Sequence, residues 1–401
     1  MREYLLVFLV ALSVTYLLTV IAREIALRTG AVAAVRDRDV HAEPIPYLGG
    51  LAMLGGLSAA YLVARELPFL AARSEGFVFK DAGVVLVAGA LVCAVGVVDD
   101  IFDLDALTKL GGQVLAAGLL VANGVRFYYF PGADGTQFGL DDAQGALLTL
   151  VVVIGTMNAV NFVDGLDGLA AGIVGIGASA FFLYCYMLSD QNNLTLATTG
   201  ALLSAALAGA CAGFLPHNFH PARLFMGDSG SMLIGLVLSA SALTLTGQFA
   251  GMPDTEGNSL FVTVLPVLLP ISLLMVPMVD LVLAVVRRTR AGRSPMSADK
   301  QHLHHRLLEI GHSQRRAVLI MWLWAFTLAT GAVIVSLFDD PWVWWSLGSM
   351  LAFTTTMTFV LPKLHRPRKT GLGDTGLPEY AEVEGRVDDR AEEPGETVPG
   401  P

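Results

Sequence analysis

Five short polar strings interrupt the apolar runs of this chain: Arg36-Asp37-Arg38 with His41, Asp99-Asp100-Ile101-Phe102-Asp103, Asn161-Phe162-Val163-Asp164-Gly165-Leu166-Asp167-Gly168, Gly227-Asp228-Ser229-Gly230-Ser231 and His302-Leu303-His304-His305. Adjacent carboxylates repel unless a cation or a proton is shared among them. Asp99, Asp100 and Asp103, followed by Lys109 and Gln113, therefore point to cation or phosphate handling rather than to a solvated helix end. In Asn158-x-x-Asn161-x-x-Asp164-x-x-Asp167 a polar group recurs every third residue, which on a helix makes one polar stripe. A helix cap needs one such residue, not four, and Gly165 and Gly168 permit close backbone approach. Asn218, Pro221 and Phe225 lead into Gly227–Ser231, where small residues before a helix expose N–H groups that suit a phosphate, with Asp228 placed to hold Mg²⁺ against it. The loop Arg287–Arg316 carries eight Lys/Arg beside His302, His304 and His305. Without nearby cysteines or a second ligand pair these histidines are poor zinc ligands, and diphosphate binding suits them better. Arg315 and Arg316 are expected to serve only attraction to a membrane surface.

The elements that must carry these residues are membrane helices. The chain is 54% hydrophobic and 15% charged, with a mean hydropathy of +0.62, against roughly 25% charged in an ordinary soluble domain. An all-α polytopic membrane bundle of about 10–11 helices follows. Its candidate spans are 4–22, 47–64, 82–98, 110–127, 144–162, 168–188, 194–215, 231–249, 260–286, 317–337 and 341–362. The ninth is expected to kink at Pro266, Pro270 and Pro277. The first is read as a retained helix, since arginines and not small residues follow it. Each polar string follows an odd-numbered span, so all five emerge on one side. That side carries eighteen Lys/Arg against five on the other, which predicts the N-terminus outside, the C-terminus inside and the strings in the cytoplasm. Nucleotide-activated donors are found there. Residues 1–362 are expected to form the membrane-embedded domain and 363–401 a cytoplasmic tail. From Gly371 on, the tail has nine acids and two arginines and reads as disordered. Cys93, Cys185 and Cys211 read as small buried hydrophobes. A transporter with an acidic relay is a remote alternative. It would want acids at mid-depth in several spans, where only Asp280 lies, and an inverted repeat, which is not seen.

The motifs resemble, in order and spacing, the polyprenyl-phosphate N-acetylhexosamine-1-phosphate transferases (glycosyl transferase family 4), over about Met1 to Pro362. Asp99-Asp100-x-x-Asp103 with Lys109 and Gln113 is similar to the family's first acidic motif. Asn158-Ala-Val-Asn161-Phe-Val-Asp164-Gly-Leu-Asp167-Gly-Leu-Ala170 resembles the second, and Phe225-Met-Gly-Asp228-Ser-Gly-Ser231 the third. His302-Leu-His304-His305-Arg306-Leu307 resembles the His loop of the WecA/TagO branch, which uses UDP-GlcNAc. The MraY branch, which takes UDP-MurNAc-pentapeptide, has three consecutive histidines and is the alternative. Tyr47, in Pro46-Tyr47-Leu48-Gly49-Gly50, stands where relatives often have a basic or small residue. The resemblance implies transfer of GlcNAc-1-phosphate from UDP-GlcNAc to a polyprenyl phosphate at a bacterial plasma membrane, with Mg²⁺, or Mn²⁺ in its place, as cofactor. It implies no nucleic-acid partner and leaves room for a homodimer. It makes Asp228 the metal ligand, Asp99 the base or orienter of the lipid phosphate and Asp100 its support. Lys109, Asn161, Asp164, Asp167, Asn218 and Phe225 would bind substrate, Phe225 through uracil. His302, His304, His305 and Arg306 would meet the diphosphate or sugar.

Overall fold

A computed structural model describes residues 1–32, 45–73, 76–131, 137–191, 197–246, 289–290, 313–338 and 340–364. The first polar string (residues 36–41), span 260–286 with Asp280, the His loop (302–306) and the tail beyond Leu364 lie outside the described residues. Met1–Leu364 forms one compact unit.

The chain runs through α1 (Arg2–Thr29), α2 (Gly49–Arg65), α3 (Pro68–Arg73), α4 (Phe77–Phe102) and α5 (Ala106–Ala122). A small hairpin follows, β1 (Tyr129–Pro131) and β2 (Gln137–Gly139), then α6 (Asp142–Val163), α7 (Leu169–Gln191), α8 (Ala197–Asn218) and α9 (Gly227–Thr246). After the undescribed stretch come α10 (Gln314–Leu337) and α11 (Pro341–Leu364). Seven of these helices are long and apolar enough to cross a bilayer, namely α1, α4, α6, α7, α8, α9 and α10. The fold is a polytopic all-α bundle, as expected, with two small additions. The hairpin pairs antiparallel, with Phe130 opposite Phe138, and its three-residue strands are too short to leave a period-two pattern. The six-residue α3 has the carboxylate of Glu3 on its first turn, accepting from the N–H groups of Phe69 and Leu70 at 2.8 Å each.

Burial sorts the helices by composition. α8 and α9 are enclosed nearly all round, whereas most of α1 faces outward. Ala205, Gly209 and Gly213 recur at four-residue spacing on α8, and α1 and α7 pack closely against it. Small residues substitute for a hydrophobic driving force between helices in lipid, because they let backbones approach and dispersion contacts accumulate. α9 packs on α4, α6 and α8, and this brings three of the polar strings to one end of the bundle.

The helix ends are set by local chemistry. Asp105 caps α5, its carboxylate accepting from the N–H groups of Leu107 and Thr108 at 3.0 and 3.1 Å. Asp141 and Gln144 form a reciprocal capping box on α6. α4 runs on to Phe102 before Asp103 turns it at φ 49°. Asp99 and Asp100 thus lie in its last helical turn and project from a rigid element.

Candidate active site

Asp100 reaches from the end of α4 to the first turn of α9. Its Oδ1 accepts from the backbone N–H of Asp228 at 2.7 Å and its Oδ2 from that of Ser229 at 3.3 Å. A carboxylate there satisfies two of the orphan donors of a helix start and complements its positive end. Glycines make the approach possible. A Cβ on Gly96 of α4 would stand 2.4 Å from the backbone of Ser229, and one on Gly50 of α2 would stand 2.4 Å from the N of Gly230. The start of α9 lies in a crevice that admits no side chain from either neighbour.

Asp99 is held differently. Its Oδ1 accepts from the N–H of Leu104 at 2.9 Å, and its Oδ2 meets the Lys109 ammonium at 3.2 Å. The same ammonium is ion-paired with Oδ2 of Asp228. Oδ1 of Asp228 accepts from the Asn161 amide at 2.6 Å, and that amide also donates to Ser231 Oγ at 2.9 Å. One cation thus sits between two carboxylates whose side chains are 14% and 24% exposed. A mostly buried pair of this kind depends strongly on its partner, because an uncompensated charge there is costly. One helical turn along α5 and α6, Gln113 and Asn158 exchange amide hydrogen bonds of 2.8 and 3.2 Å, so the two helices are tied just inside the site.

The expected stripe from Asn158 to Asp167 is only half helical. α6 ends at Val163 and Asp164 is its C-cap, because the glycines that follow break the period. Asp164 is half-buried. Desolvation pushes its carboxyl up to about 7, with Asp100 and Asp167 adding to the rise. Asp167 turns away from Asn161. It is 2% exposed, and its Oδ2 accepts from His220 Nδ1 at 2.7 Å and from the N–H of Ala222 at 3.1 Å. Asn218 is 1% exposed, its amide accepting from the N–H of Gly168 and donating to the carbonyl of Leu224, each at 3.0 Å. Both residues hold the loop between α8 and α9. That loop presents Phe225, whose N–H donates to Pro46 O at 2.9 Å and whose ring lies 6.0 Å from that of Tyr47.

The structure therefore joins Asp99, Asp100, Lys109, Asn161 and Asp228 in one cluster, and sets Asp167 and Asn218 behind it as frame. One assignment changes and one residue is added. Arg315, expected to face only the membrane surface, donates from Nε to the carbonyl of His220 at 3.1 Å. His220 itself was missed. Its signal was a histidine two residues beyond Asn218, on the same face as the acids.

Among the described residues no three His, Cys, Asp or Glu side chains surround a common point. Mg²⁺ needs no such cage, being commonly held by one or two carboxylates together with substrate phosphates. The donor set fits such an ion: Asp228 faces a position already shared by a cation, and the Asn161 amide can turn its oxygen toward it.

A family model described as glycosyl transferase family 4 matches residues 82–246. The chain is 47% identical to the decaprenyl-phosphate N-acetylglucosaminephosphotransferase of Mycolicibacterium smegmatis, over 91% of this chain and 90% of that protein. It is 49% identical to the protein of the same description from Mycobacterium tuberculosis, over 85% and 84% of the two chains. Similarity to the phospho-N-acetylmuramoyl-pentapeptide-transferase of Mycobacterium bovis is lower, 30% over 86% of this chain and 99% of that one.

Proposed function

Because the chain belongs to glycosyl transferase family 4, among its polyprenyl-phosphate N-acetylhexosamine-1-phosphate transferases, we propose that it moves GlcNAc-1-phosphate from UDP-GlcNAc to a polyprenyl phosphate on the cytoplasmic side of the membrane. An oxygen of the lipid phosphate bonds to the sugar-linked phosphorus, the bond from that phosphorus to the bridging oxygen breaks, and UMP leaves with the bridging oxygen. The products are polyprenyl-diphospho-GlcNAc and UMP. The observation that carries this reading is the Lys109 ammonium shared between Asp99 and Asp228, at a helix start capped by Asp100.

In phosphoryl transfer the protein chiefly positions anions and neutralises charge. Asp99 is the carboxylate best suited to orient the lipid phosphate or take its proton, since Oδ2 is held only by a long, flexible lysine. Asp100 has both oxygens on backbone donors and acts as support, fixing the first turn of α9 and with it Asp228. Lys109 can turn to the diphosphate when substrate enters. Mg²⁺, bound by Asp228 with Asn161 beside it, would supply charge neutralisation at the diphosphate. Phe225 offers a ring face to uracil. By resemblance, His302, His304, His305 and Arg306 complete the diphosphate and sugar contacts.

A donor panel tests the proposal. With purified protein, Mg²⁺ and decaprenyl phosphate, UMP should be released from UDP-GlcNAc and not from UDP-MurNAc-pentapeptide. Release from the pentapeptide donor with UDP-GlcNAc inert would reverse the donor assignment, and release from neither would end the reading.

A further inference from the structure

His220 and Arg315 lie outside every motif named above, yet they tie the nucleotide loop to two other parts of the protein. The tie begins at Asp167, whose buried Oδ2 receives Nδ1–H of His220 at 2.7 Å and the N–H of Ala222 at 3.1 Å. It continues through the carbonyl of His220, which accepts from Arg315 Nε at 3.1 Å. Arg315 belongs to the first turn of α10, nine residues after Arg306 of the His loop. A second contact runs alongside: the ring of Phe219 lies 5.5 Å from that of Trp322 on α10. At its far end the loop is pinned again, with the N–H of Phe225 on Pro46 O and the N–H of Gly49 on Phe225 O at 3.1 Å. Between these anchors Phe225 has little freedom.

We infer that His220 and Arg315 are positioning residues for the donor nucleotide, acting through the loop that carries Phe225. The inference rests on the proposed function in one respect, that Phe225 faces the base of a uridine nucleotide. The imidazole is 31% exposed while its carboxylate partner is 1% exposed, so the histidine is fixed at its Nδ1 edge and fastens an otherwise open loop to a buried point. An ordered aromatic platform loses less freedom on binding a base than a loose one does, which lowers the dissociation constant without touching the reacting phosphorus. Removing the tie should therefore weaken nucleotide binding and leave the chemical step nearly intact.

The test uses the full-length enzyme in detergent or nanodiscs with His220→Ala, His220→Asn and Arg315→Met. Two quantities are read: equilibrium affinity for UMP by calorimetry, and the separate kcat and KM for UDP-GlcNAc with decaprenyl phosphate. His220→Ala should weaken UMP affinity and raise the donor KM by about tenfold, with kcat within about twofold and the KM for the lipid unchanged. His220→Asn, whose amide can still donate to Asp167, should recover most of the affinity. Arg315→Met should shift the same two quantities in the same direction by a smaller factor, and serves alone if His220→Ala fails to fold. A fall in kcat at constant KM would overturn the inference in favour of direct contact with reacting groups. Equal losses in the alanine and asparagine variants, or no change in UMP affinity in any folded variant, would overturn it too. Both donors considered above yield UMP, so its affinity reports on the tie even if the donor sugar proves to be other than GlcNAc.

Discussion

Lys109 is the residue on which the cluster turns. Its ammonium is the counter-ion of both Asp99 and Asp228, and it stands 20% exposed, too sheltered for water to replace it fully. Lys109→Met keeps the length of the side chain and removes the charge, leaving two carboxylates facing one another. Breaking a buried pair by deleting one partner costs about 3–5 kcal/mol, and partial exposure here brings the expectation to roughly 1–3 kcal/mol. UMP release should fall at least a hundredfold, and the melting temperature should drop by several degrees. Near-wild-type turnover in this variant would show that the ammonium is only a structural tether. Much of the cluster was legible in the sequence. Asp99, Asp100, Asn161 and Asp228 stand out because carboxylates and amides are expensive beside apolar helices and must repay their presence. What spacing could not show was division of labour. Asp99 and Asp100 are neighbours in the chain, but 100° apart around a helix they face different partners, one a lysine and the other a helix start. Asp167 carried the period of the stripe past the end of α6, and only its tertiary contacts reveal it as frame.

At the scale of elements, the start of α9 is the piece others are built around. It is wedged between α2 and α4 at glycines and capped by a carboxylate from α4. Gly96→Ala places a methyl where the Ser229 backbone already stands, so α9 or α4 must move. Overpacking of this kind costs typically about 1–3 kcal/mol. The expected outcome is a lower melting temperature together with a loss of UMP release larger than the loss of folded protein, since the shift displaces Asp228 directly. A variant that keeps its activity while losing stability would separate the crevice from the site. The helices themselves were readable from apolar length, most to within several residues. α4 was underestimated at both ends, since Asp99 and Asp100 look like a terminus yet are its last turn, and α9 starts four residues before the apolar run, at Gly227. The hairpin and α3 escaped notice because elements of three and six residues are fixed by contacts such as Glu3 with α3, not by periodicity. α10 and α11 are joined by polar side chains as well, Thr327 to Thr354 at 2.8 Å and Trp324 to Thr358 at 3.1 Å. Hydrogen bonds between membrane helices commonly contribute about 0.6 kcal/mol each.

For the whole molecule, the asymmetry of eighteen basic residues against five predicts that the end bearing the cluster faces the cytoplasm. The native cysteines, Cys93, Cys185 and Cys211, are free and buried, so single reporters are readable against them. In intact cells, Asp134→Cys should react with a membrane-impermeant maleimide and Met296→Cys should not. The reverse pattern would put the cluster on the side where nucleotide sugars are absent. The charge held at that end has a further meaning for how substrates arrive. Among the described residues of the cluster, Asp99 and Asp228 share one ammonium while Asp100 meets the partial positive charge of a helix start, so carboxylates there outnumber full cations. On the proposed function, such a doorway would sort visitors by charge before it measures any sugar by shape, and a diphosphate that travels with its own cation would enter more readily than a bare one. The protein would then sample not the total pool of nucleotide sugar but the fraction already neutralised, and the ionic state of the surrounding solution would become part of what it reads.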